Sequence, residues 1–110
     1  MIYNLESPKD RSSFKTLIQQ HKDKLIIVKC SATWCCPCRK IVPFFNKYMN
    51  ELGRTRSIIY IHVDFDADRD IISHLRVKSV PTILSFKDGY QDNSFIGSDY
   101  KKLEQWFSQL

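Results

Sequence analysis

Three of the chain's four cysteines fall within the segment Trp34-Cys35-Cys36-Pro37-Cys38. Cys35 and Cys38 carry the Cys-x-x-Cys spacing, which sets one thiol a helical turn from the other. Before them runs Leu25-Ile26-Ile27-Val28, apolar and β-branched; after them, Arg39 to Leu52 reads as helix. Two thiols where a strand hands over to a helix point to thiol–disulfide exchange, in which a thiolate attacks a sulfur–sulfur bond.

A free cysteine titrates near ~8.5 and is mostly protonated at neutral pH, so such a site must favour the anion. A helix N-terminus does this through its unpaired N–H groups and its dipole. Cys35 stands at that end and is the expected nucleophile. Cys38, one turn further in, faces it and is shielded, as a resolving thiol should be. Pro37 suits the first turn, where its missing N–H leaves no acceptor unpaired. Arg39 and Lys40 add positive charge beside the thiols.

The elements that must hold this site follow from hydrophobic spacing. Met1 to Leu5 alternates weakly and is expected as a short edge strand. Ser7-Pro8 opens a helix to about His21, with Phe14, Leu17 and Ile18 on one side. Leu25 to Ala32 is a buried strand. The helix after the motif contains Pro43, which removes a donor and should kink it, and Gly53 stops it. Ser57 to Val63 is too continuously apolar to be half-exposed and is expected to be central and parallel. A short helix covers Arg69 to Leu75. Thr82 to Phe86 is a strand, the Asp88-Gly89 turn follows, and Asn93 to Ile96 pairs back as a hairpin. Tyr100 to Leu110 closes the chain as a helix. The order β-α-β-α-β-α-β-β-α implies an α/β fold, a central mixed sheet with helices on both faces.

At 110 residues the chain fits one domain, residues 1–110, without internal repeats or linkers. No apolar run approaches the ~18 residues of a spanning helix, so no membrane association is expected. The N-terminal residues lack the basic flank and apolar stretch of a secretory signal. Clustered cysteines do not make a stapling framework, which favours a reducing compartment. Cytoplasm is the expected location, with mitochondrion and nucleus open. The net charge of +5 is spread over many elements without a dense basic run or a finger or helix-turn-helix spacing. Nucleic acid is therefore not the expected partner; a preference for acidic proteins through electrostatic steering is.

At these residues the chain resembles the thioredoxin family, over essentially its whole length. Trp34-Cys35-Cys36-Pro37-Cys38-Arg39 is similar to that family's Trp-Cys-Gly-Pro-Cys-Lys/Arg motif, and Val80-Pro81-Thr82 to its cis-proline loop. Pro43 matches the helix kink, Gly89 the hairpin turn, and Phe95-Ile96-Gly97 the segment bordering the substrate groove. The resemblance implies a thioredoxin fold and a protein disulfide reductase that works through a mixed disulfide on Cys35, resolved by Cys38. It implies a groove formed by Trp34, Pro37, Val80, Pro81 and Gly97, disulfide-containing proteins as substrates, and a reductase or dithiol donor. No organic cofactor and no metal are implied, and a monomer is expected.

Three positions depart from the family pattern. Cys36 replaces glycine: either a tolerated small residue, or a third thiol that forms intermolecular disulfides and links two chains. Adjacent Cys35 and Cys36 would strain the backbone if bridged, so Cys35–Cys38 is the expected bond. Lys29 stands where the family places a buried aspartate. If it points inward, desolvation should leave it partly neutral, or its charge should stabilise the Cys38 thiolate and make a weaker reductant. Alternatively its stem lets the ammonium reach water. Tyr60 replaces a lysine that often lies near that aspartate.

Other constellations carry less. Asp64-x-Asp66-x-Asp68 has Arg69 and Leu75 where a calcium loop needs glycine and glutamate, and is expected as a strand end followed by helix-capping acids. Cys30 is expected to be buried and inert. His21, His62 and His74 show no metal spacing. Trp106 reads as packing, Trp34 as a shaper of the groove. Two competing functions stay open: a metal or iron–sulfur module using Cys35, Cys36 and Cys38, and a non-catalytic binding module of the same fold.

Overall fold

The computed structural model describes all 110 residues. The elements run β1 (Ile2–Leu5), α1 (Arg11–Gln20), β2 (Leu25–Ser31), α2 (Cys36–Gly53), β3 (Ile58–Asp64), α3 (Arg69–Leu75), β4 (Thr82–Lys87), β5 (Tyr90–Ile96) and α4 (Tyr100–Ser108). All five strands form one sheet in the order β1-β3-β2-β4-β5. The β1–β3 and β2–β3 pairs are parallel, whereas β2–β4 and β4–β5 are antiparallel. The sheet is thus mixed; β3 is parallel to both its neighbours and interior, as its apolar run predicts, although the central strand is β2.

The two-residue period of β2 divides its side chains between two cores. Ile26, Val28 and Cys30 pack with Phe14 and Ile18 of α1 and with Ile71 and Ile72 of α3. Leu25 and Ile27 pack with Ile41, Phe45 and Tyr48 of α2 and with Leu103, Trp106 and Phe107 of α4. A strand buried on both faces needs no polar alternation, which explains the unbroken apolar runs.

Several boundaries differ from the sequence expectation for local reasons. Helix α1 starts at Arg11 rather than at Ser7-Pro8, because Asp10 caps it by accepting the Ser13 N–H at 2.8 Å. Strand β5 begins at Tyr90 rather than Asn93: Asp88 and Gly89, with φ of 55° and 84°, turn the chain in two residues. The polar start of β5 is tolerated because it lies at a sheet edge. Helix α2 already begins at Cys36, three residues before Arg39, and keeps Pro43 within it. Helix α4 ends at Ser108, short of Leu110. Gly53 does more than end a helix: a Cβ there would meet Ile2 Cγ1 at 2.8 Å, so the glycine admits β1 against α2.

Candidate active site

Strand β2 delivers the chain to the motif and α2 carries it away. Cys35 is the N-cap of α2, with extended backbone, and its Sγ accepts the Cys38 N–H at 3.1 Å. A disulfide joins Cys35 and Cys38, whose Cα atoms are 5.3 Å apart. Both cysteines are buried with Ala32 in a small cluster, against which Phe65 and Val80 pack. Pro37 lies in the first turn, exposed.

The loop before β4 faces this disulfide. Its Val80–Pro81 peptide is cis, and the Val80 carbonyl oxygen lies 3.8 Å from Cys35 Sγ. The Gly97 N–H donates to the Pro81 carbonyl at 3.2 Å. Gly97 has φ of 120°, which favours glycine, and nothing stands within 4 Å of where a Cβ would project. Trp34, 60 % exposed, flanks the same surface. Its indole Nε1 donates to Asp66 Oδ2 at 2.7 Å, and its ring meets Phe65 edge-on at 6.4 Å. The structure therefore sets the Val80–Pro81 loop against Cys35 and ties that loop to Gly97, with Trp34 next to Cys35 in the chain.

Cys36 is the exposed free thiol. Arg39 Nη2 donates to its Sγ at 3.1 Å while Nη1 donates to the Thr33 carbonyl at 2.5 Å, pinning the guanidinium across the motif. Cys30 is the buried free thiol; burial, with Asp68 adding, pushes it up to about 12.

Lys29 is half-buried on the α2 side of the sheet. Its Nζ lies 4.6 Å from the centre of the Phe45 ring and 5.9 Å from that of Tyr60. No carboxylate forms an ion pair with it. Burial holds the amine below the ordinary lysine value, and burial, with Cys30 adding, raises the Tyr60 hydroxyl. His62 is its register partner on β3 and shares a 2.6 Å hydrogen bond with Ser31 Oγ. Desolvation, then the Lys29 charge, pushes that imidazole down.

The acidic segment corrects one expectation. Asp64 Oδ1 accepts the Asp66 and Ala67 N–H groups at 2.9 Å, and Asp68 Oδ2 accepts the Asp64 N–H at 2.8 Å. These acids therefore close the turn after β3, and no side chain caps α3. Sequence inspection passed over three contacts: Trp34–Asp66, Ser31–His62 and Arg39 with Thr33. The Asp-x-Asp-x-Asp spacing was the one signal for the first; the others depend on register and on a rotamer. No group of three or more His, Cys, Asp or Glu side chains is arranged to hold a metal ion. Trp106 is buried between Phe95 and Phe107.

A mixed sheet whose second strand feeds a helix-capping disulfide, opposed by a cis-proline loop, defines the class of thioredoxin-fold proteins. The thioredoxin family model matches residues 7–109, and the chain belongs to the thioredoxin family. It is 36 % identical over 110 residues to the thioredoxin of Oryctolagus cuniculus, covering 100 % of this chain and 99 % of that protein. To the thioredoxin of Homo sapiens it is 34 % identical over 110 residues, with the same coverage. Among solved structures, mitochondrial thioredoxin 3 of Saccharomyces cerevisiae, in its oxidised form, superposes with a TM-score of 0.79 at 27 % identity, covering 99 % of this chain and 95 % of that one. Thioredoxin of Schistosoma mansoni gives 0.77 at 29 % identity, covering 97 % and 94 %. Thioredoxin-type oxidoreductase activity is implied by this homology, and with it disulfide-containing target proteins and a reductase. No helix is long and apolar enough to cross a membrane.

Proposed function

We propose that the chain, acting as one domain over residues 1–110, reduces protein disulfides through Cys35 and Cys38. The Cys35 thiolate attacks one sulfur of a substrate disulfide; the other leaves as a thiolate, and a mixed disulfide forms. Cys38 gives up its proton and attacks Cys35 Sγ, so the second substrate sulfur leaves and the Cys35–Cys38 bond closes. Two electrons pass to the substrate, and a reductase or dithiol donor restores the pair. Trp34, Pro37, Val80, Pro81 and Gly97 form the groove. Lys29 and Tyr60 tune the dithiol, while Cys36 adds an exposed third thiol beside it.

One observation carries this reading: the Cys38 N–H donates to Cys35 Sγ at the start of α2. An N–H that lacks a partner within the helix and is aimed at sulfur, with the helix dipole behind it, stabilises negative charge on that atom. A reducing compartment, with cytoplasm first and mitochondrion next, suits such a dithiol.

Insulin reduction driven by dithiothreitol, and then by a reductase with NADPH, tests the reading. Wild type and Cys36→Ser should be active and Cys35→Ser inactive. Turnover retained in Cys35→Ser would overturn it.

A further inference from the structure

The loop that presents Val80 is approached through Arg76, Val77, Lys78 and Ser79. Arg76 and Lys78 are exposed, and neither forms an ion pair. Beside them opens a cleft of about 160 Å³, walled by Arg76, Lys78, Ser79, Thr82, Ser94 and Ile96, and no acidic residue lines it. Ile96 is 66 % exposed and pairs in register with Thr82, whose hydroxyl donates to the Ser79 carbonyl at 2.7 Å. The cleft is thus a braced, apolar-floored hollow under two unpartnered cations.

Its position gives it a use. Val80, whose carbonyl faces Cys35 Sγ at 3.8 Å, is two residues from Lys78. The chain bends at Ser79 and Val80, so Lys78 lies at most roughly 7 Å along the backbone from Val80, within the spacing of same-face side chains in an extended bound segment. A substrate side chain two positions from the attacked cysteine can therefore reach the cleft. Arg39 and Lys40 are exposed on the α2 side. The acids Asp66, which accepts from Trp34, and Asp99, which accepts the Lys101 and Lys102 N–H groups at the start of α4, do not line the cleft.

We propose that the cleft between the Arg76–Ser79 loop and Ile96 is a substrate subsite, which selects protein disulfides flanked by an acidic side chain. The proposal deepens the reductase reading and rests on it. A carboxylate meets Arg76 and Lys78, while its aliphatic stem covers Ile96.

The test uses two disulfide peptides, identical except for Glu or Lys two residues from the cysteine, with an uncharged small disulfide as reference. Each rate is normalised to the same variant's rate on the reference. Wild type should favour the Glu peptide roughly three- to tenfold in kcat/KM, as expected for two partly exposed charge pairs. Added salt should shrink that preference. Arg76→Glu with Lys78→Glu should reverse it, and Lys78→Gln should weaken it should the double variant fold poorly. Lys47→Glu with Arg54→Glu, the same charge change on α2 and at its C-cap, should keep it. Equal wild-type rates, a preference that survives both Lys78 variants, or equal loss in the Lys47/Arg54 variant would each overturn the subsite. Wild type inactive on the reference disulfide as well would instead overturn the reductase reading.

Discussion

Trp34 and Asp66 are tied by a 2.7 Å hydrogen bond that joins the motif to the turn after β3. An exposed indole is otherwise free to rotate. Here one carboxylate on its Nε1 and the edge of Phe65 against its ring fix which face it turns to the opening.

Asp66→Ala should release that ring. We expect kcat/KM for a protein disulfide to fall roughly three- to tenfold, the scale of one lost charge-assisted hydrogen bond at a positioning residue. A small disulfide, which needs no groove, should lose less. Trp34 fluorescence anisotropy should drop in the same variant; unchanged anisotropy would sever the link between the tie and the rate.

Lys29 makes two measurable statements. We expect its charge to favour the thiolate form of the reduced site, so Lys29→Asp should make the reduction potential more negative, by roughly 15–30 mV on the scale where 30 mV is ~1.4 kcal/mol. Equilibration against a glutathione buffer measures this. A potential that stays or rises would count against the inward amine.

The same lysine gives stability a pH dependence of known sign. Its folded-state value lies below its unfolded one, so between the two the unfolded chain binds more protons. Stability should therefore rise with pH from the folded value up to that of free lysine, near ~10.4, and fall as pH drops through the folded value. Lys29→Met should melt a few degrees higher at pH 7, and its advantage should close as the pH rises. Parallel melting curves for the two proteins at all pH values would refute this.

The two free thiols should separate cleanly by reactivity. Native oxidised protein should take up one alkylating label, on Cys36, while Cys30 stays protected until unfolding, since burial pushes it up to about 12. Peptide mapping by mass spectrometry distinguishes the sites.

Oxidant should link two chains through Cys36. Cys36→Ser should abolish the disulfide-linked dimer on a non-reducing gel and leave insulin reduction unchanged. A dimer that persists in the variant would place the linkage elsewhere.

Much of this was legible in the residues because it is local or periodic. The apolar runs of β2 and β3, the Cys-x-x-Cys at a helix start and the Asp88-Gly89 turn each announce themselves within a few positions. The start of α1 was not legible: the reading from Ser7-Pro8 places it too early, and the capping bond from the Ser13 N–H to Asp10 that fixes it is a matter of side-chain geometry. Ser31 and His62 are 31 residues apart, and strand register alone makes them neighbours. Lys29 could reach water or lie between Phe45 and Tyr60, a choice fixed by packing of α2 rather than by its own neighbours.

The smallest cluster in the protein has a consequence for motion. Ala32, Cys35 and Cys38 form a package of their own, and Phe65 and Val80 pack against both it and the α1–α3 core. Two side chains therefore stand between the redox centre and one of the large cores. Opening that package displaces those two side chains and breaks a few local hydrogen bonds, among them Cys35 N–H to the Ala32 carbonyl, so its amides should exchange with solvent by local fluctuation, well before the strands beneath it let go. A corner of the molecule should therefore open while the sheet behind it keeps its protection.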